Sequence, residues 1–184
     1  TVNGAVVNLS GSSFLDLTTN STNRVVGADG GFWTLSDTAR VSTSAGFELK
    51  GISANSTLAL TGTSGVTVGG KFSVFNNTAV TMGVGTTFEA DVIKFETSAA
   101  ANAMFTFAGG TIKLNNTNPL QTPSLGTGNE PSNRINYTGT TDAYVHATAT
   151  SDAGTNFTDK VSFFAIDGVE NSAYGTRVNG KVIT

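Results

Sequence analysis

The densest group of side chains that could do chemistry is Glu89, Asp91 and Glu96, with Lys94 among them. Clustered carboxylates bind calcium, or act as the acid and base of enzymes that cleave polysaccharides. Glu89 and Asp91 share strand parity, so we expect both to point to one side of a strand. The group is consistent with a weak cation or carbohydrate site. It is also consistent with a solvated turn that has a lysine counter-ion, which we favour.

Histidine and tryptophan occur once each in this chain. His146 lies in an alternating segment, with no Ser and Asp arrangement and too few further ligands for a triad or a zinc site. Trp33, beside Phe32, could stack on a sugar ring, although a core or capping position is the alternative that we favour. We therefore predict no catalytic residue, no metal site and no cofactor, and we expect that the protein is not an enzyme.

The overall composition excludes several classes of partner. Charged residues make up 12% of the 184 residues, about half the usual share. The net charge is −3 and there is no basic stripe, so we expect no nucleic-acid partner. Cysteine is absent, which rules out disulfides and thiol chemistry. No apolar run approaches the roughly 20 residues that span a bilayer, so we expect no membrane insertion.

Short segments between Phe47 and Asn116 alternate apolar residues with small or polar ones, which is typical of strands with one buried face. Glycine and asparagine fill the gaps and suit tight corners. The segments repeat every 22 to 25 residues, three strands to a unit. This spacing predicts an all-β fold, a parallel β-helix (β-solenoid) in which each coil stacks on the previous one. The alternative is a β-sandwich or jelly roll, whose turn signals are similar.

The repeat predicts which residues stack on each other. We expect two inward ladders, Leu60–Met82–Phe107 and Val68–Ala90–Leu114. The pair Lys71–Phe72 recurs as Lys94–Phe95. That recurrence predicts that the two lysines stack one coil apart, where like charges disfavour each other slightly.

The chain divides into three parts. Residues 1–116 are predicted to form the solenoid coils, with 1–22 as an opening coil or as a strand that pairs elsewhere. Residues 117–133 hold all three prolines and are predicted to be a loop. Residues 134–184 regain strand character and are predicted to complete the solenoid or to cap its end.

The segments Leu58-Ala59-Leu60-Thr61-Gly62 and Val66-Thr67-Val68-Gly69-Gly70 resemble repetitive bacterial surface proteins. These are the β-helix proteins like autotransporter passengers and the anchored β-strand repeat proteins of exopolysaccharide-producing bacteria. The segment Phe164-Ala165-Ile166-Asp167-Gly168-Val169 resembles their ends. The resemblance implies an extracellular or cell-surface protein with a right-handed β-helix and a structural or adhesive role.

The ends of a β-helix present unpaired backbone groups unless a helix or polar cap covers them. Neither terminus contains a credible amphipathic helix. We therefore predict that the protein assembles with copies of itself into a filament or surface layer by strand addition or end-on stacking. The candidate residues are Val6, Val7, Leu9, Phe14, Leu15, Leu17, Val182 and Ile183. The alternatives are a protein that binds or degrades carbohydrate, with extracellular polysaccharide as its partner, and an adhesin fragment.

Asn-X-Ser/Thr triplets are frequent, and chance explains most of them in a chain so rich in Ser and Thr. They mark weak candidate glycosylation sites at Asn8, Asn20, Asn55, Asn76, Asn115, Asn136 and Asn156.

Overall fold

The residues that the computed structural model describes form twenty short β-strands and contain no helix. These residues are 4–19, 24–27, 29–51, 54–75, 77–96, 103–115, 120–121, 135–139, 143–147, 151–152, 155–156, 164–166, 169–170 and 182–183. The strands are β1 (Val6–Leu9), β2 (Phe14–Leu17), β3 (Arg24–Gly27), β4 (Phe32–Leu35), β5 (Arg40–Thr43), β6 (Gly46–Leu49), β7 (Ser56–Leu60), β8 (Gly65–Val74), β9 (Thr78–Met82), β10 (Thr87–Phe95), β11 (Ala103–Phe107), β12 (Gly110–Leu114), β13 (Leu120–Gln121), β14 (Ile135–Tyr137), β15 (Ala143–Ala147), β16 (Ser151–Asp152), β17 (Thr155–Asn156), β18 (Phe164–Ile166), β19 (Val169–Glu170) and β20 (Val182–Ile183).

The strands stack as the coils of a β-solenoid, which confirms the predicted fold class. Sheet 1 has the order β1-β4-β7-β9-β11-β14-β18-β19, and sheet 2 has the order β2-β5-β8-β10-β12-β15-β20. Strand β3 pairs with β6, β6 with β8, and β13 with β10, which adds a third ladder beside sheet 2. Apart from the antiparallel pair β18 and β19, neighbours within the ladders are parallel and lie one coil apart, as in Val6 with Phe32 and Ser56 with Thr78. Such parallel stacking distinguishes the solenoid from a sandwich of antiparallel hairpins.

The core lies between the sheets and is built from the inward residue of each strand pair. Leu60 pairs with Met82 and Met82 with Phe107, as the repeat predicts. The second predicted ladder, Val68–Ala90–Leu114, is also confirmed. Every residue of both ladders is buried. Burying these apolar side chains is the main force that holds one coil on the next.

Aromatic rings run along the same core and connect successive coils. The Phe47 and Phe72 ring centroids are 5.4 Å apart, and Phe72 and Phe88 are 4.9 Å apart in an edge-to-face arrangement. Phe105 continues the series, at 5.1 Å from Phe88. Edge-to-face pairs bring the positive ring edge against a negative ring face, which stabilises them beyond their area burial.

The predicted stacking of Lys71 on Lys94 is wrong. Lys71 pairs with Val92, and Lys94 pairs with Ser73. The register shifts at Asp91 because β8 has two residues, Gly69 and Gly70, where β10 has one. A shift of one residue moves every later side chain to a different partner.

The corners between sheet 1 and sheet 2 are tight turns, each closed by an i to i+3 backbone hydrogen bond. The closing N–H groups belong to Ser13, Ala39, Ser64 and Thr86. Each turn contains one residue with positive φ, namely Gly11, Asp37, Gly62 or Gly85. A positive φ causes little strain in glycine and is tolerated by Asp. This explains why the sequence has glycine at most of the corners.

The two ends of the stack differ. The first coil consists of β1, β2 and β3, which pair with β4, β5 and β6 of the second coil. At the other end β14, β15, β18 and β20 continue the two sheets. Sheet 1 then finishes with β19, which runs antiparallel to β18. Of the predicted 117–133 loop, only Leu120 and Gln121 lie within the described residues, and they form β13.

Candidate functional site

The N-terminal rim, defined as β1 and β2, is one place where strand edges are open among the described residues. Among the described strands, β1 has a partner on one side only, β4, and β2 has a partner on one side only, β5. In the described part of the chain no strand covers their outer edges. Edge strands present rows of N–H and C=O groups that can pair with another chain. The rim is therefore a place where a further strand can add.

The inward side chains of the rim are those that a further coil would bury. Val7, Leu9, Leu15 and Leu17 are half-buried and pack against the core from one side. In the next coil the corresponding residues are fully enclosed, with Leu35 0% and Val41 1% exposed. The contrast shows that the core continues up to the rim but is not covered there by described residues.

Large apolar side chains on the outward side of the rim are more exposed still. Val6 is 65% exposed and Phe14 is 61% exposed. Phe32, the strand partner of Val6, is 42% exposed and extends the apolar surface to the second coil. Sequence reasoning missed Phe32 as a rim neighbour, although its alternation with the inward Trp33 indicates an outward side chain.

Only one charged side chain belongs to the rim strands. Asp16 is exposed and accepts hydrogen bonds from the hydroxyl and the N–H of Thr18, at 2.6 and 2.9 Å. Those hydrogen bonds keep the pKa of Asp16 below its usual value, and the bond from the Thr18 hydroxyl has the larger effect. The rim thus combines apolar side chains, strand edges that no described residue covers, and a single negative charge.

Val182 and Ile183, the other predicted assembly residues, lie far from the rim in the strand order. They form β20 and pair with Tyr144 and Val145 of β15, at the opposite end of sheet 2. The structure therefore separates the predicted assembly residues into two places. Six of them come together at the rim, and two lie at the other end.

The acidic group Glu89, Asp91 and Glu96 lies on and just after β10, in the fourth coil. The carboxylates of Glu89 and Glu96 interact with neighbouring side chains of the same protein. Glu89 Oε1 accepts hydrogen bonds from Lys113 Nζ and Asn115 Nδ2, both at 2.9 Å. Lys113 pairs with Glu89 across the strands, one coil along. Both donors lower the pKa of Glu89, and Lys113 has the larger effect. Partial burial acts in the opposite direction and raises this pKa, but by less. Glu89 is therefore a carboxylate with a cationic and an amide partner rather than a free ligand.

The other acids nearby do not join Glu89 in a ligand set. Asp91 sits at the register shift between Ala90 and Val92. Glu96 Oε1 accepts a hydrogen bond from the Ser73 hydroxyl at 3.0 Å, and Glu96 Oε2 lies 2.6 Å from Lys94 Nζ. Among the described residues no three acidic or histidine side chains are placed to hold a metal ion. His146 lies on β15, opposite Lys113, and its side chain is outside the described residues.

Trp33 is part of the core, with 8% of its surface exposed. Its ring lies edge to face against Phe47, with centroids 5.2 Å apart. A stacking platform for sugar needs an open ring face. The indole of Trp33 does not offer one, because it points inward from β4 and is enclosed by the second coil and its neighbours.

The candidate glycosylation sites fall in different surroundings. Asn8 and Asn55 are exposed, and the Asn115 amide is engaged with Glu89. Asn136 and Asn156 lie on β14 and β17, and their side chains are outside the described residues, as are Asn20 and Asn76 altogether.

Comparisons with protein-family models, with curated proteins and with solved structures give no match to this chain. Within the described residues there is no helix of the length and apolar character needed to cross a membrane.

Proposed function

We propose that this protein is an extracellular structural subunit that associates with copies of itself by β-strand addition at the N-terminal rim. The observation behind the proposal is the coincidence of two features in the same strands. Strands β1 and β2 have outer edges without a partner in the described residues, and their inward side chains are only half-buried.

A strand that adds to this rim satisfies both features at once. Its backbone supplies hydrogen-bond partners to the open edges, which gives affinity with little dependence on sequence. Its inward side chains complete the core over Val7, Leu9, Leu15 and Leu17. Removing apolar surface from water contributes roughly 25 cal/mol per Å². A second copy of this solenoid is a suitable donor because its edges and inward residues have the same spacing.

The proposed location is supported by composition and by the resemblance to repetitive bacterial surface proteins. A low charged fraction with abundant Gly, Ser, Thr and Asn fits a stack of short strands whose stability comes from ladders and core. Growth into a filament or surface layer requires a second contact elsewhere on the solenoid, since one rim joins only two subunits.

A carbohydrate-binding or polysaccharide-degrading role has no comparable observation in its favour. Glu89 is bonded to Lys113 and Asn115, and the Trp33 ring is enclosed in the core. Mutation of Glu89 and Asp91 followed by a polysaccharide-binding assay remains the direct test of that alternative.

Sedimentation velocity over a wide concentration range tests the proposal. We expect the unmodified protein to associate as its concentration rises. Val6→Asp and Phe14→Asp should shift association to higher concentration, because each replaces an outward apolar side chain, which would lie beside a side chain of the added strand, with a charge. Val84→Asp is the matched control, since Val84 is 58% exposed at a corner of the fourth coil, away from the rim.

Thermal unfolding of each variant shows whether the fold is retained. Monodisperse monomers at high concentration in several buffers would overturn the proposal. So would a Val84→Asp variant that weakens association as much as Val6→Asp does.

A further inference from the structure

The two ends of sheet 1 are not complementary to each other. At the N-terminal end, β1 offers a four-residue edge that is open among the described residues. At the C-terminal end, the last described strand of sheet 1 is β19, which has two residues and runs antiparallel to β18. A very short edge strand is one of the ways in which proteins limit further pairing at the edge of a sheet. Head-to-tail stacking would have to lay β1 of one copy on this short reversed strand.

Two N-terminal rims, by contrast, match each other. A two-fold axis perpendicular to sheet 1 brings β1 against β1 of the second copy in antiparallel pairing, which satisfies the edge of both strands. The same axis brings the half-buried inward residues of the two copies together, namely Val7, Leu9, Leu15 and Leu17. The described strands of the first coil carry two charged residues of opposite sign, Asp16 on β2 and Arg24 on β3, so the repulsion between like ends is small.

We propose that the N-terminal rim binds the same rim of a second copy, so that assembly through this surface closes at a two-fold dimer. This inference rests on the proposed function and specifies its partner and its symmetry. Because the contact uses the same surface on both copies, it leaves no open rim for a third subunit.

The geometry makes a strict demand on β1. In an antiparallel pair related by a two-fold axis, one residue must lie directly opposite its own copy, with Cβ atoms about 4.5–5.5 Å apart. In a head-to-tail stack no residue of β1 faces itself. A single cysteine in β1 therefore distinguishes the two arrangements.

Absence of cysteine from the natural sequence makes this experiment unambiguous. Four variants carry one cysteine each, Val6→Cys, Val7→Cys, Asn8→Cys and Leu9→Cys, and Val84→Cys is the control. Each is oxidised or treated with a short bis-maleimide at a concentration where the unmodified protein associates. We expect one position to give mostly covalent dimer and the control to give none, with a sedimentation mass of two chains.

The outcomes separate this inference from the proposed function. Association into species larger than two chains without a link from any single rim cysteine overturns the two-fold dimer and leaves strand addition in place. A two-chain species that none of the four cysteines links also overturns it. A protein that stays monomeric at every concentration overturns both.

Discussion

Positive φ at each corner is the most local requirement of this fold, and the corner glycines differ in what surrounds them. A Cβ on Gly62, at φ 67°, would lie 2.8 Å from the carbonyl oxygen of Asp37 and 2.9 Å from its nitrogen. A Cβ on Gly11, at φ 62°, would meet no atom within 4 Å. The two positions therefore separate backbone strain from overlap with the neighbouring coil.

Gly11→Ala should lower the free energy of unfolding by about 1–3 kcal/mol, the usual cost of a left-handed residue other than glycine. Gly62→Ala should cost more, because the backbone of Asp37 must also move, which adds about 1–3 kcal/mol. Urea unfolding followed by circular dichroism measures both variants. Equal effects would show that the corners do not stack as closely as described.

Thr43 is a buried residue whose hydroxyl finds no hydrogen-bond partner in the described part of the chain. Thr43→Val should stabilise the protein by about 1–2 kcal/mol, because a buried unsatisfied hydroxyl is replaced by a methyl group. Thr78→Val is the matched control. The Thr78 hydroxyl donates to the carbonyl of Leu49 at 3.2 Å, so its loss should destabilise. Thermal unfolding that ranks the two variants the other way would contradict this reading.

Glu89 gives the protein a dependence on pH through its lowered pKa. A carboxylate with a lowered pKa in the folded state stabilises fully above its unfolded pKa of about 4.3. That contribution is lost as pH falls through the folded value. Glu89→Gln should therefore lower stability near pH 7 and reduce the loss on acidification to pH 3. The two proteins should differ in free energy of unfolding by less than about 1 kcal/mol, since the Glu89–Lys113 pair is partly exposed. If the free energies of unfolding of the unmodified protein and of Glu89→Gln change with pH in parallel, this role of Glu89 is contradicted.

The strands of each coil depend on aromatic packing between coils, and Phe72 is the central ring of that packing. It is fully buried and lies within 5.4 Å of Phe47 and 4.9 Å of Phe88, measured between ring centroids. Phe72→Ala should lower the free energy of unfolding by about 3–5 kcal/mol. Phe32→Ala should cost far less, because Phe32 is 42% exposed on the outer face of sheet 1. Similar losses for the two variants would contradict the assigned faces.

Much of the fold at the level of strands follows from the sequence. The 22 to 25 residue repeat gave both inward ladders correctly, because alternation and spacing together specify which residues stack. The Lys71 and Lys94 pairing failed, since one coil omits a residue where the chain bends between two ladders. Repeated dipeptides do not show where that residue is missing.

The candidate site was only partly predictable, for a different physical reason. Apolar alternation identifies Val7, Leu9, Leu15 and Leu17 as inward residues, but it does not show that no described coil covers them. That depends on strand order in the assembled stack. The partners of Glu89 were also missed, because Lys113 and Asn115 lie a full coil away in sequence.

At the scale of the whole molecule, the solenoid is asymmetric along its axis. One end presents parallel strands whose edges and inward side chains lack a cover among the described residues, and sheet 1 ends in a short antiparallel hairpin at the other. In a stack where each coil contacts only its neighbours, stability is lowest at an uncovered end. We therefore expect the N-terminal rim to be the least stable part of the described regular coils and, in the proposed assembly, the part that gains most from association.

Hydrogen–deuterium exchange as a function of protein concentration tests this account most directly. Amides of residues 6–17 should exchange rapidly in dilute solution and become protected as copies pair, because their open edges then acquire hydrogen-bond partners. Amides of β7 and β9, in the middle of sheet 1, should be protected equally at every concentration. If residues 6–17 are already as protected as β7 in dilute solution, or if concentration leaves their exchange unchanged, the open rim and its pairing are contradicted.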